Sequence, residues 1–287
     1  MIVTLLTDYG RDDDFVGVCH GVIRGIHPEA EIVDITHGIE RYAVRQGALV
    51  LRNTLPYMPI GVHVAVVDPQ VGTERRAVAL RTGDGRTLIG PDNGLLSLAW
   101  ERCDGVELAV DVTRSPHRLE PVSATFHGRD IFAPVAAHLA AGAELADAGD
   151  PLEPDSLTNV ALPAPREEDG AVVAHALVID HFGNVGLNVD HERLTGTGIT
   201  LGGRVSVEAH GEGYAATYAQ TFADVEPGKL IVYQDAYRTL ALVRGVRAAV
   251  MYARRADHCG RSRTSASMPR PSVPAASPRL IASASVR

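Results

Sequence analysis

The chain has 287 residues, 45% of them hydrophobic, and a formal net charge of −8. That apolar content is enough to pack one large or two ordinary domains. The acidic balance argues against a nucleic-acid partner, whose phosphates need a basic surface, and no apolar run of about 18 residues predicts a membrane span.

Ile2–Leu6 is a β-branched and apolar run that stops at Thr7-Asp8-Tyr9-Gly10, which predicts a buried strand and a loop. Asp12, Asp13 and Asp14 then lead into a helix over Phe15–Ile26, with acids near its positive end. Glu31–Ile35 reads as a second strand, Val44–Leu55 as a helix ended by Pro56, and Gly61–Val67 as a third strand running into Asp68-Pro69. Strand, helix, strand, helix, strand is the order of a parallel α/β sheet. Its ligands bind beyond the carboxyl ends of the strands, where Asp8, Thr36, His37 and Asp68 fall.

Arg76–Leu80 and Thr87–Ile89 predict a hairpin around Gly83-Asp84-Gly85. Gly94–Trp100 and Ile131–Leu139 predict helices. The stretch 146–170 is rich in Pro, Asp, Glu and Gly and reads as a linker between an N-terminal α/β domain (1–145) and a C-terminal domain (171–256). In the latter, runs at 172–179, 205–208, 216–222, 230–233 and 240–243 predict a small antiparallel β domain. From 257 to 287, Ser, Pro, Ala and Arg dominate, which predicts a disordered tail.

Three cysteines, Cys19, Cys103 and Cys259, stand far apart without a CxxC or Cys/His cluster. They indicate neither a disulfide framework nor a structural zinc site, and they fit a reducing compartment. Met1–Tyr9 lacks the features of a secretory leader. A cytoplasmic location is expected.

Five polar clusters pair a carboxylate or amide with glycine: 7–10, 68–76, 91–94, 125–130 and 180–184. Any one of them is explained by turn chemistry; five in one chain, mostly at element ends, point to a site. His127 titrates near neutrality and can exchange a proton with water, though a lone histidine more often satisfies a local hydrogen bond. Asp68 can start a turn, Arg75 can be a solvated charge, and His37 can be a core histidine. Asp8, Asp13, His37, Asp68 and His127 are also potential metal ligands, but no metal motif is complete and no metal is expected. GxSxG, GxxxxGK[ST] and GxGxxG patterns are absent, which removes support for serine-hydrolase, P-loop and dinucleotide readings.

The motif set resembles a known family, the S-adenosyl-L-methionine (SAM) hydroxide adenosyltransferases or SAM hydrolases, relatives of the SAM-dependent fluorinase and chlorinase. The segments are TDYG at 7–10 with FVG at 15–17, DITHGI at 34–39, VVDPQVGTERRAV at 66–78, GPDNGLL at 90–96, TFHGRDIFAP at 125–134, IDHFGNVGLN at 179–188 and TFADVEPG at 221–228. The resemblance implies a Rossmann-like α/β domain followed by a β-barrel-like domain. It implies a homotrimer with sites between subunits, and hydrolysis of SAM to adenosine and L-methionine without a cofactor. It implies that Asp68, Arg75 and His127 handle water, that Asp8 binds the ribose diol, that Asp180 holds the methionine amino group, and that Phe182 and Asn184 contact the nucleoside.

Two positions depart from the family pattern. Gln70 stands where glycine is usual, which would be strained at a positive φ. Ala236 stands where a serine hydroxyl is usual. Three other readings compete: a halogenase on the same scaffold, a non-catalytic SAM- or adenosine-binding protein, and a metal-dependent hydrolase. The halogenase reading is weakened by Asp68, because a carboxylate repels a desolvated halide.

Overall fold

The computed structural model describes residues 1–194, 196–244 and 279–284. The chain divides into two compact units, Met1–Ala161 and Leu162–Arg287.

The first unit contains β1 (Ile2–Thr7), α1 (Phe15–Ile26), β2 (Glu31–Thr36), α2 (Val44–Thr54), β3 (Val62–Val66), β4 (Ala77–Thr82), β5 (Thr87–Pro91), α3 (Ser97–Arg102), β6 (Val106–Asp111), α4 (Ala133–Ala140) and β7 (Asp150–Leu152). They build a seven-stranded sheet in the order β2-β1-β3-β5-β4-β6-β7. The strands β2, β1, β3 and β5 run parallel, and β4, β6 and β7 are added antiparallel.

Residues 3–7 of β1 are all buried, as expected for a parallel strand covered on both faces. Successive side chains point to opposite faces. Val3 and Leu5 join a core with Ile23, Phe132 and Val135, where α1 packs on α4. Leu6 joins the other core with Leu51, Leu95 and Ala99, where α2 packs on α3. In α1, Cys19 and Ile23 are the buried pair, one helical turn apart.

Several elements differ from the sequence expectation. The α3 helix starts at Ser97 rather than Gly94 because Gly94 sits at φ +92°, a left-handed conformation that cannot open a right-handed helix. The helix expected over Ile131–Leu139 is preceded by a π-helical turn, Gly128–Phe132, that runs straight into α4. The strands β6 and β7 were not expected. The β7 strand lies inside the stretch read as a linker and pairs with β6; three residues with a central Pro151 carry no readable alternation.

The second unit contains β8 (Arg166–Glu168), β9 (Ala171–Ile179), β10 (Val185–Asp190), β11 (Arg204–Ala209), β12 (Glu212–Tyr218), β13 (Leu230–Gln234), β14 (Thr239–Arg244) and β15 (Arg279–Ala284). Their order is β10-β14-β13-β12-β11-β15-β9-β8, and β10 also pairs with β9. That last pairing closes the strands from β9 to β15 into a barrel. Its interior includes Val172, Ala174, Leu187, Val207, Val232 and Leu280.

The barrel is mixed rather than purely antiparallel, since β12–β13, β11–β15 and β15–β9 are parallel. Residues 279–284 correct the expectation of a disordered tail. They form β15 between β11 and β9, with Leu280 fully buried. The apolar pair Leu280-Ile281 is short within a Ser/Pro/Ala-rich segment, so composition hides it. The rest of the expected tail, 257–278 and 285–287, lies outside the described residues, as does Cys259.

Candidate functional site

The sheet order places three carboxyl ends side by side. Thr7 of β1 pairs with Val66 of β3, and β2 flanks β1 on its other side. Asp8 and Asp68 therefore emerge next to each other, and the Asp8 N–H donates to Val66 O at 3.3 Å. The β4 strand runs antiparallel to β5 and starts opposite its end, Ala77 against Pro91. Arg75 is thereby returned to the same edge.

Asp68 and Arg75 meet as a buried pair, their side chains 6% and 4% exposed. Arg75 Nε donates to both carboxylate oxygens at 3.1 and 3.0 Å, and Arg75 Nη2 donates to Asp68 Oδ2 as well. The same Nη2 lies 2.9 Å from His127 Nδ1. A guanidinium has no acceptor, so Nδ1 must be the unprotonated nitrogen and the ring proton sits on Nε2. Burial, and then the Arg75 charge, hold the His127 pKa below its usual value. Arg75 Nη1 is buried without a hydrogen-bond partner. It is a donor left free at the junction of the three residues.

Two glycines permit this junction. Gly72, at φ +80°, passes so close to the 124 segment that a Cβ would fall 2.5 Å from Ala124 O. That approach brings the 68–76 loop to the loop carrying His127. Gly128 faces the Tyr9 hydroxyl, where a Cβ would fall 2.1 Å from the oxygen. Gln70 is not among the residues with positive φ, so its replacement of glycine carries no backbone strain. Its N–H donates to Asp68 Oδ1 at 3.3 Å.

Asp8 Oδ2 accepts the Tyr42 N–H at 3.0 Å. Burial raises the Asp8 pKa, the Tyr42 hydrogen bond opposes this, and the Asp68 charge adds to the rise. Tyr42 holds a left-handed φ of 66°, an uncommon conformation for a bulky residue. Tyr9, Phe15 and Phe126 form an aromatic trio with centroids 5.1–5.8 Å apart. Neither Tyr42 nor the trio was singled out from sequence. Tyr9 and Phe126 lie inside the TDYG and TFHG motifs beside Asp8 and His127, which was the available signal.

The 91–94 cluster is structural. Asn93 Nδ2 donates to Val67 O at 2.9 Å, which fixes the chain just before Asp68. Asp92 pairs with Arg76. The Asp130 side chain, 2% exposed, accepts the Ser123 N–H and braces the approach to His127. Of the potential metal ligands, His37 lies with His20 and Asp34; Asp8, Asp13, Asp68 and His127 form no such group among the described residues.

Asp180, Phe182 and Asn184 fall in the second unit, in the turn between β9 and β10. Asp180 Oδ1 accepts the N–H groups of Phe182 and Asn184, each at 2.9 Å, and Oδ2 accepts Asn184 Nδ2 at 2.5 Å. Gly183, at φ +84°, completes the turn. Asp180 is thus already a turn acceptor, while Phe182 is left 74% exposed, its ring centroid 5.7 Å from that of His181. Tyr233 is pushed up to about 12, by burial first and then by Asp180 and Asp235.

Residues 3–149 match the family model described as the SAM hydroxide adenosyltransferase N-terminal domain, and residues 174–253 match that of the C-terminal domain. A protein of Salinispora tropica named (R)-S-adenosyl-L-methionine hydrolase is 47% identical over 248 residues, covering 86% of this chain and 92% of that one. A fluorinase of an Actinoplanes species is 30% identical, covering 85% and 90%. The crystal structure of a conserved protein from Thermotoga maritima superposes with a TM-score of 0.79 at 36% identity, covering 86% and 93%.

Proposed function

The chain belongs to the SAM hydroxide adenosyltransferase family, and on that premise we propose that it hydrolyses SAM to adenosine and L-methionine by in-line attack of activated water on the ribose C5′. The observation that carries this reading is the contact of Asp68, Arg75 and His127 beside Asp8.

Methionine leaves a sulfonium as a neutral thioether, so its departure needs neither an acid nor a metal. The protein has to align the nucleophile and exclude bulk water. Arg75 Nη1 donates to the attacking oxygen as it gains hydroxide character. The Asp68 carboxylate retains acceptor capacity beyond its bonds to Arg75 and takes the proton. His127 Nδ1 is occupied by Arg75, so His127 fixes the guanidinium and offers its Nε2–H. Asp8 accepts the ribose hydroxyls, and its charge, with that of Asp68, favours the cationic substrate over the neutral products.

Asp180, Phe182 and Asn184 contact methionine and nucleoside from the second unit of a neighbouring subunit in a homotrimer. The exposure of Phe182 supports this role, because it leaves an aromatic side chain open to a ligand beside His181. No helix among the described residues is long and apolar enough to cross a membrane. Cys19 and Cys103 are buried free thiols, which supports a reducing, cytoplasmic setting. The halogenase reading fits less well, since Asp68 stands where a halide would be repelled and the fluorinase identity is the lower one.

The test is incubation with SAM in 18O-labelled water, without halide and with a chelator present, read by mass spectrometry. Adenosine carrying the label on its 5′ oxygen is expected, and the label is lost with His127→Ala. Substrate bound but unconverted would leave a binding protein. The relative's name makes the (R) epimer the first substrate to assay.

A further inference from the structure

His20 of α1, Asp34 of β2 and His37 just beyond β2 converge on one point. His20 Nε2 lies 2.8 Å from Asp34 Oδ1, and His37 Nε2 lies 3.0 Å from the same oxygen. The three atoms lie within 4.8 Å of one another. We propose that His20, Asp34 and His37 bind a divalent first-row transition ion of the zinc class, as a structural site separate from the water-handling residues.

The donor set is two imidazoles and one carboxylate, which suits borderline ions such as zinc rather than calcium or magnesium. A second observation concerns His37 alone. Its side chain is 1% exposed, and Nε2, 3.0 Å from Asp34 Oδ1, has no well-aligned hydrogen bond among the described residues. A buried ring nitrogen that close to a carboxylate and a second imidazole, without a well-aligned hydrogen bond, is what a ligand position offers. The other nitrogen, Nδ1, is 2.8 Å from Thr7 Oγ1, the outer hydrogen bond that orients metal-bound histidines.

Zinc bonds of about 2.0–2.2 Å separate tetrahedral ligand atoms by roughly 3.3–3.6 Å. The group therefore has to open by about half an ångström on binding. His20 and Asp34 sit at the surface, with side chains 34% and 28% exposed. They give the ion an entry path and leave a fourth position for water.

The consequence falls on the TDYG loop. His37 O accepts the Gly10 N–H at 2.8 Å, and Thr7 Oγ1 bonds both His37 and the Tyr9 N–H. An ion that fixes His37 fixes the backbone on either side of Asp8. The ion takes no part in bond breaking, so its binding and SAM turnover are separate readouts.

The test is titration of the metal-stripped protein with Zn2+ by calorimetry, with thermal unfolding followed in parallel. The expected result is one equivalent bound, a rise in Tm, and affinity lowered by about tenfold or more in both His20→Gln and Asp34→Asn. His20 is a partly exposed helix residue, so His20→Gln is expected to fold, as its Tm without zinc will report. Absence of stoichiometric binding in the unaltered chain overturns the proposal. Equal binding by the chain and its His20→Gln variant also overturns it, since the other histidines would then be holding the ion.

Discussion

Arg75 Nη2 donates to His127 Nδ1 at 2.9 Å, and that one contact fixes which ring nitrogen carries the proton. Protonation of Nδ1 would set two donors against each other and break the contact. Burial and the Arg75 charge both disfavour it. The acid limb of the pH–rate profile is therefore expected below the ordinary histidine value of 6.5. The His127 ring, followed by NMR, is expected to titrate below 6.5, and to move back toward it in Arg75→Gln. An inflection at or above 6.5 in the unaltered protein would contradict the assignment.

Arg75→Lys keeps the charge but loses the fork that spans Asp68 and His127. The expected loss in kcat is on the order of 10²–10³, the scale seen when a preorganised donor is removed, with little change in KM. Arg75→Ala goes further and leaves the Asp68 carboxylate buried and unpaired. Its expected cost is roughly 3–5 kcal/mol of stability, read from denaturant unfolding. An Arg75→Ala variant as stable as the parent would mean that Asp68 is better solvated than its burial indicates.

His63 is fully buried and bonded to Thr4 Oγ1 at 2.9 Å. Burial, then Arg86, lowers its pKa from 6.5 to about 4. The unfolded chain therefore binds a proton that the folded chain refuses throughout that window. The stability tied to neutral His63 is complete above pH 6.5 and drains away as pH falls toward 4, by roughly 3 kcal/mol in all. Unfolding free energy measured against pH is expected to show this slope, and His63→Gln is expected to flatten it.

Leu280 is the buried residue of β15, packed in the barrel interior. Leu280→Ala is expected to cost about 2–5 kcal/mol, as a lower unfolding midpoint with hydrogen exchange quickened in β9 and β11. A loss confined to the first few tenths of a kcal/mol would show that β15 contributes little to closure.

Much of the first unit was legible because its strands are continuous apolar runs and α1 has a clean helical period; the bounds Phe15–Ile26 were readable directly. The strands β6, β7, β8, β10 and β15 were not, since each gains its identity from the strands beside it. The contact of Asp68, Arg75 and His127 depends on the approach of Gly72 to Ala124, which no spacing reveals. The grouping of His20 with Asp34 and His37 needs α1 laid against β2. Asp180 shows what spacing does not reveal: the motif carboxylate also builds its own turn, accepting the N–H groups of Phe182 and Asn184 and the Asn184 amide.

The place of β15 also sets an order of events during synthesis. It is the last of the described strands to be made, yet it lies between β11 and β9 and pairs with both. Every strand of the seven-stranded sheet precedes residue 162, so the first unit can fold while the ribosome is still extending the chain. The barrel has to wait. Until residues 279–284 emerge, β9 and β11 present unsatisfied edges, which are templates for pairing with another nascent chain. The ring is therefore sealed only after residues 279–284 have been made, and slow translation of the stretch between β14 and β15 would lengthen the interval in which the half-made barrel is open to aggregation.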